Sequence, residues 1–418
     1  MQYSKVSWKI REQIKKFSGE LSTGICKTAG RFVAEAVYGI QAKKSVMLSE
    51  IARSLNEDIA LKKTENRLSR QINREGLGRA VEKNLLSLAS RRIKKKTLLV
   101  VDLSDISKDH ARRMEYLGRV RDGSTGEIKD GYWTIKVIGT EPEGVHITPL
   151  LNRLYSQEAP DHDSENDEIL KAVRAVSRAA ERRGIFVIDR GGDRKKLLHP
   201  LLNTGVRFII RMVGTRHLVY RGRAVRAAEL AAGCRMLYTE QVIREKDGKE
   251  QSCQIQYGYR KVKLPGRDEK ITMVVVKGFG EKPMLLLTNV KVRRSRKSCY
   301  FIVHSYIKRW DVEETIRCIK QSYDLENIRL LRYRGLQNMM VMALCAMYFA
   351  AVHLGDSIWL KALAHHALKE AKRFFGIPDF RYYALADGIK AFLEGFKRPF
   401  LPNGTLELEK SQLPLFDT

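Results

Sequence analysis

Between His304 and Asp324 the chain reads HSYIKRWDVEETIRCIKQSYD, and its polar residues recur at helical intervals. At roughly 100° per residue, Tyr306, Arg309, Glu313 and Lys320 fall within an arc of about 60°, with Arg317 and Trp310 near its edge. Val312, Ile316 and Ile319 form an apolar stripe beside that face, and Ile307 lies off it. One carboxylate is thus set among cations and aromatics. Such a face suits phosphate: Arg supplies a bidentate fork, Lys a point charge and Tyr a hydroxyl donor. The same spacing also fits a surface helix laced with the i,i+4 pairs Arg309–Glu313 and Glu313–Arg317.

Two further acids weigh against the surface helix. Asp102 ends the apolar run TLLVVD and Asp189 ends IFVID, and strand ends in open α/β sheets are where sites form. Divalent cations such as Mg²⁺ need hard oxygen ligands, and two metals about 3.5–4 Å apart clamp the attacking and leaving oxygens of a phosphodiester. Two strand-end aspartates and a helix glutamate suffice to hold them. Taken singly, each aspartate is better explained by a turn or a cap. Asp193 reads as the N-cap of a helix starting at Arg194, and Asp105 either caps a turn or competes with Asp102 for the metal role.

The elements that must position these acids follow from periodicity. Up to about Lys96 the chain is helical and rich in Lys and Arg. There LSEIARSLNE (Leu48 to Glu57), with Ser49 as cap and Ile51, Ala52 and Leu55 inward, precedes ALKKTENRLSRQIN. The second helix buries Leu61, Leu68 and Ile72 and turns Lys62, Lys63, Arg67, Arg70 and Arg74 outward. A helix-turn-helix-like DNA-binding module fits, and so does a plain solvated basic pair. After RIKKK the runs TLLVVD, YWTIKVIGT and GVHITPLLNRLY read as strands, and Ser164 to Gly184 as an amphipathic helix capped by Ser164 and stopped by Gly184. IFVID follows, so that the order implies a mixed α/β sheet. From Val206 to about Lys282 many short alternating stretches read as a β-rich insertion, after which MLLLTNV returns to core character and the long helix follows. The rest is helical to near Lys397, with a loose tail.

At these positions a resemblance becomes specific. Tyr306, Arg309, Glu313 and Lys320 match the Y-x2-R-x3-E-x6-K signature of the DDE transposases of bacterial insertion sequences known as insertion-sequence family four. VVDLSD resembles that family's first catalytic-aspartate segment, and VIDRGGD its second, with Asp193 as the accompanying acid. The likeness spans roughly Thr97 to Phe349. It implies an RNase H-like mixed sheet flanked by helices, interrupted by the β-rich insertion and preceded by a helical DNA-binding region. The divisions it implies are 1–96, 97–205, 206–283, 284–355 and 356–418: DNA-binding region, first core part, insertion, second core part, C-terminal helices and tail. It further implies that Asp102, Asp189 and Glu313 are catalytic and bind two Mg²⁺ or Mn²⁺ ions. Tyr306, Arg309, Arg317 and Lys320 would then contact DNA. The implied activity is cutting of insertion-sequence ends and joining of the freed 3′-OH to target DNA. The implied partners are double-stranded DNA and a second copy of the chain, as a homodimer on DNA. Some relatives stack a flipped base on a tryptophan in the insertion; here Trp8, Trp133, Trp310 and Trp359 lie elsewhere, leaving Tyr220, Tyr238, Tyr257 or Tyr259 for that task. Two other readings fit the same acids: a DNA-binding descendant that no longer cuts, and a nuclease that only hydrolyses.

Composition agrees with a nucleic-acid partner. A formal charge of +29, spread along 418 residues, points to a polyanion. Tyr257, Tyr259, Arg260, Lys261 and Lys263 interleave aromatic and basic character, which suits nucleic acid or an edge strand guarded by lysines. The cysteines lie far apart with no CxxC pair, which argues against zinc and disulfides and for a reducing cytoplasm; the resemblance implies that it is bacterial and that the protein is nucleoid-associated. The N-terminus lacks a signal-peptide h-region, and the apolar run Met339 to Val352 is shorter than a span needs and reads as a buried helix, so no membrane is expected. No P-loop or HExxH occurs, and His365–His366 reads as a surface pair.

Overall fold

The computed structural model describes residues 3–354, apart from 124, 145, 247 and 248, together with 381–395 and 397–401. Helices come first: α1 (Tyr3–Leu21), α2 (Lys27–Lys43), α3 (Leu48–Ser54), α4 (Leu61–Ile72) and α5 (Leu77–Ser90). Past RIKKK the chain turns to strands, as the change to β-branched runs predicts: β1 (Leu98–Ser107), β2 (Gly118–Arg121), β3 (Ile128–Thr140) and β4 (Ile147–Tyr155). Then come α6 (Glu165–Ala179), β5 (Ile185–Ile188), α7 (Lys195–Asn203) and β6 (Phe208–Arg211). The hairpin β7 (His217–Tyr220) and β8 (Arg223–Arg226) leads through α8 (Ala227–Ala232) to β9 (Tyr238–Lys246), β10 (Lys249–Val262), β11 (Ile271–Lys277) and β12 (Met284–Thr288). The long α9 (Arg296–Ser322), α10 (Tyr333–Tyr348) with a π turn at Phe349–His353, and α11 (Arg381–Glu394) follow.

The fold is mixed α/β. A ten-stranded sheet runs β2-β3-β1-β5-β6-β12-β11-β10-β9, with β4 on the free side of β3. β1, β5 and β6 are parallel and every other ladder in it is antiparallel. All four residues of β5 are buried, as a parallel strand covered on both faces requires. The stretch from Val206 to Lys282 is built into this sheet. β6 is a parallel core strand, β9 to β11 continue the sheet beyond β12, and β7–β8 forms a separate two-stranded ribbon. Alternation decides which side chains a strand buries, but not which strand lies beside it. Ser164 caps α6 as expected, its hydroxyl accepting from Asp167 N at 3.2 Å. The helix ends at Ala179, short of Gly184. Gly184 instead closes the following turn at φ 87°, where a Cβ would meet Leu99 Cδ1 at 2.5 Å, so both its conformation and its closeness to β1 call for glycine.

Helix α9 packs across β12, β11, β10, β6, β5 and β1. The segment Tyr333–His353 is long and apolar enough to cross a membrane, yet it is almost entirely buried within the protein. It packs on β4, α2 and α5, which is the buried helix that Met339 to Val352 predicts. The N-terminal helices are docked on it. Asn338 Nδ2 donates to Ile72 O at 2.7 Å and Arg74 O at 3.1 Å, while its Oδ1 accepts from Gly78 N at 3.0 Å. One buried amide thereby satisfies the orphan groups of two helix ends. In the α3–α4 pair, Ile51, Ala52, Leu55, Leu68 and Ile72 are buried as expected, whereas Leu61 is exposed and Met47, not Ser49, occupies the α3 N-cap. Arg67 does not face outward with Lys62, Lys63, Arg70 and Arg74; it turns in to Glu35 and Glu57.

Candidate active site

The apolar run that ends at Asp102 does not end its strand. β1 continues to Ser107 because β3 pairs with it throughout, from Leu98↔Thr140 to Ser107↔Gly131. What ends is the parallel ladder, whose last pair is Val101↔Ile188. Asp102 is the next residue on β1, and Asp189 is the first residue past β5. Continued one step beyond that last pair, the register would bring Asp102 opposite Asp189, neighbouring strands being about 4.8 Å apart. Asp189 itself turns the chain: its Oδ1 accepts from Gly191 N at 2.8 Å, capping a 3₁₀ turn at Arg190–Gly192.

The neighbouring strands add cations on both sides. Lys136 on β3 lies directly opposite Asp102 and is only 3% exposed, with Nζ donating to Thr134 Oγ1 at 3.0 Å. On β6, Arg211 follows Ile210, the partner of Ile188, so it falls beside Asp189 in the same extended register. In that extended register the row across four strands would read Lys136, Asp102, Asp189, Arg211. Sequence reasoning missed both cations. A lysine inside the buried run from Ile135 to Ile138 is the signal that would have singled out Lys136; nothing local marks Arg211.

Asp105 is not an equivalent of Asp102. Three residues apart on a strand, the two point to opposite faces. Asp105 is buried and accepts from Gly123 N at 3.2 Å and Ser107 Oγ at 3.0 Å, which fixes the turn after β2. Asp193 is not a helix cap, because α7 begins at Lys195 with Arg194 as its N-cap. Its carboxylate faces inward, accepting from Val213 N at 2.8 Å and from Arg216 Nε. Burial pushes this carboxyl up, against the opposing pull of the Val213 N–H and Arg216.

On α9, Tyr306 and Arg309 are interior residues, at 0% and 5% exposure. Tyr306 meets Trp310 edge to face at 5.5 Å, and Trp310 stacks on Phe279 at 5.0 Å. Arg309 Cζ lies 5.2 Å from the Tyr306 ring centroid and 5.5 Å from that of Trp310. The Tyr306 hydroxyl is buried with no hydrogen-bond partner among the described residues. Glu313 lies on α9 one turn beyond Arg309, and α9 packs on both β1 and β5. The side chains of Glu313, Arg317 and Lys320 lie outside the described residues, as do Trp359 and His365–His366. Among the described residues no cluster of three acid, His or Cys side chains forms a metal cage. Lys108, at the far end of β1, donates from Nζ to Ile328 O at 2.7 Å, tying the Asp102 strand to the segment after α9; burial pushes its ammonium down to about 8. Of the tyrosines considered for base stacking, Tyr257 is a core residue against Tyr238 and Tyr300. It sits on β10, an interior strand flanked by β11 and β9, so neither an edge guarded by lysines nor a base platform describes it.

No curated protein matches the chain in sequence. A piggyBac transposase in a cryo-EM synaptic complex with hairpin DNA is a distant structural likeness, at 10% identity and TM-score 0.40, covering 93% of this chain and 79% of that one. The transposase DDE domain family matches residues 93–349, a segment that runs from just before β1 to just past α10 and holds both aspartates and all of α9. With more than half of its length inside that match, this chain belongs to the transposase DDE domain family.

Proposed function

We propose that the protein is a DNA transposase of the insertion-sequence family four type, with an RNase H-like core. It cuts at insertion-sequence ends and joins the freed 3′-OH to target DNA. The observation that carries this reading is that the β1–β5 ladder ends at Val101↔Ile188, one residue before Asp102 and Asp189. Hard carboxylate oxygens on adjacent strands suit divalent cations. Asp102, Asp189 and Glu313 would hold two Mg²⁺ or Mn²⁺ ions, which when bound supply charge neutralisation at the phosphate and a lowered pKa for water. Hydrolysis forms a P–O bond to the water oxygen and breaks the bond to the 3′-oxygen, which leaves as a hydroxyl. That hydroxyl then displaces an oxygen at a target phosphodiester.

The chain's own residues position this chemistry. Lys136 and Arg211 bracket the acid pair with positive charge. The buried Tyr306 hydroxyl has a donor to give, and Arg309, held over two rings, is fixed in direction. With Arg317 and Lys320 farther along α9, these are the proposed DNA contacts. The exposed Lys62, Lys63 and Arg70 on α4, with Arg74 just past its end, would make the N-terminal helices a second DNA-binding surface. A homodimer on paired DNA ends, in the bacterial cytoplasm, completes the reading.

The test is Glu313→Gln, assayed on DNA carrying the terminal repeats of the element with Mg²⁺ or Mn²⁺. Cleavage and joining are expected to vanish while DNA binding stays. Unchanged cleavage would remove Glu313 from the site and the reading with it.

A further inference from the structure

The buried carboxylate of Asp193 has been given no part in the chemistry above, yet it is tied to a feature of the surface. Its side chain is 0% exposed and lies four residues beyond Asp189. Besides Val213 N and Arg216 Nε, the Asp193 backbone takes part, its carbonyl accepting from Arg216 Nη2 at 2.6 Å. Arg216 immediately precedes β7, and its own carbonyl accepts from Ala227 N at 2.7 Å, just after β8. Both feet of the β7–β8 ribbon are therefore gathered at Asp193. A further brace joins Val219 to Lys263 through N–H to carbonyl bonds of 2.8 and 3.0 Å.

The outer end of this ribbon is cationic. At its turn Arg221 (φ 51°) and Gly222 (φ 80°) both take the left-handed conformation that a two-residue hairpin requires, and Asn or Gly is the usual choice where Arg221 stands. Arg221 and Arg223 at this turn, and Arg226 at the ribbon's foot opposite His217, are exposed, and none of them forms an ion pair among the described residues. Other surface arginines are paired, as Arg296 is with Glu240 and Arg119 with Asp130, while some, such as Arg70 and Arg74, form no ion pair among the described residues. The Tyr220 ring is flanked by Arg260 Cζ at 4.9 Å and Arg221 Cζ at 5.3 Å, which stiffens the base of the cationic tip.

We propose that the β7–β8 ribbon is a clamp on the phosphate backbone of the DNA being cut, and that Asp193 is the positioning residue that keeps this clamp in fixed relation to Asp189. The proposal rests on DNA being the substrate. A two-stranded ribbon carrying unpaired guanidinium groups matches the charge of a phosphate backbone, and each phosphate it neutralises releases condensed counterions.

The experiment is fluorescence-anisotropy binding of a labelled DNA duplex, with EDTA present, across a KCl series. The triple variant Arg221→Ala/Arg223→Ala/Arg226→Ala is expected to bind about tenfold or more weakly, with the slope of log K against log salt smaller by about 2–3. Asp193→Asn is expected to weaken binding in the same direction, and adding it to the triple variant to change little more, the signature of residues acting as one unit. The three arginines are exposed, so the triple variant reports even where Asp193→Asn fails to fold. Wild-type binding with an unaltered affinity and salt slope in the triple variant overturns the clamp alone. A wild-type protein that does not bind the duplex overturns the clamp together with the function beneath it.

Discussion

Two charge clusters in this protein have the same ingredients and opposite construction. In the helical layer, Arg31 and Arg67 alternate with Glu35 and Glu57: Arg31 reaches Glu35 at 2.7 Å and Glu57 at 2.6 Å, and Arg67 reaches Glu35 at 2.5 Å and Glu57 at 2.8 Å. Thr64 Oγ1 donates to Glu57 at 2.7 Å. It is a closed ring in which every acid lies between two guanidinium groups. In the sheet, Lys136 pairs with Asp102, and the β1–β5 and β5–β6 registers, continued one step past Val101↔Ile188 and Ile188↔Ile210, would complete a row Lys136, Asp102, Asp189, Arg211 with the acids in the middle. Alternation satisfies charge internally and makes a structural joint between α2 and α4. Juxtaposition of like charges on adjacent strands costs stability, and is the arrangement that a bound cation relieves.

Neutralising one acid of the row should therefore separate activity from stability. Asp189→Asn is expected to lower DNA cleavage by about a thousandfold or more, equivalent to about 4 kcal/mol of barrier. Its unfolding free energy should stay within about 1 kcal/mol of wild type, because the amide oxygen can still accept from Gly191 N. Denaturant titration beside the cleavage assay checks both halves; a large loss of stability would make the row a structural joint like the ring.

The ring should behave in the opposite way. Arg67→Met leaves Glu35, whose side chain is 1% exposed, with half its partners, and is expected to cost about 3 kcal/mol in denaturant unfolding. A cost below about 1 kcal/mol would mean that the ring is replaceable and that the contrast with the row is one of geometry alone.

The smallest effect is in pH. Against the burial that would raise it, the Thr64 hydroxyl and Arg67 hold the Glu57 carboxyl below its ordinary value. A depressed carboxyl contributes stability that is full above its unfolded pKa of about 4.3 and is lost as the pH falls through its folded value. The stability gap between wild type and Glu57→Gln, on the order of 1 kcal/mol near neutrality, should thus shrink below about pH 4. Glu35 works in the other sense, since burial raises its carboxyl despite Arg67 and Arg31, and wild type and variant share that contribution. A gap that stays constant down to pH 3 would remove Glu57 from the ring's energetics.

Several features of this protein follow from sequence alone, because they depend on neighbours a few residues away. The Ser164 cap, the apolar strands before Asp102 and Asp189, the buried helix after Tyr333 and the long helix α9 are of this kind. The excess of positive charge is a sum over the chain and needs no fold at all. Tertiary structure decided the rest. β1 runs on past Asp102 because β3, some thirty residues later, keeps pairing with it. RFIIR belongs to the parallel core because β5 lies beside it, and Asp193 faces Arg216 rather than a helix end. Arg67 points inward because two glutamates from elsewhere meet it. Periodicity fixes the type of an element and the face it buries. Which strands become neighbours, and at what register, is settled by contacts between distant segments that no local pattern encodes.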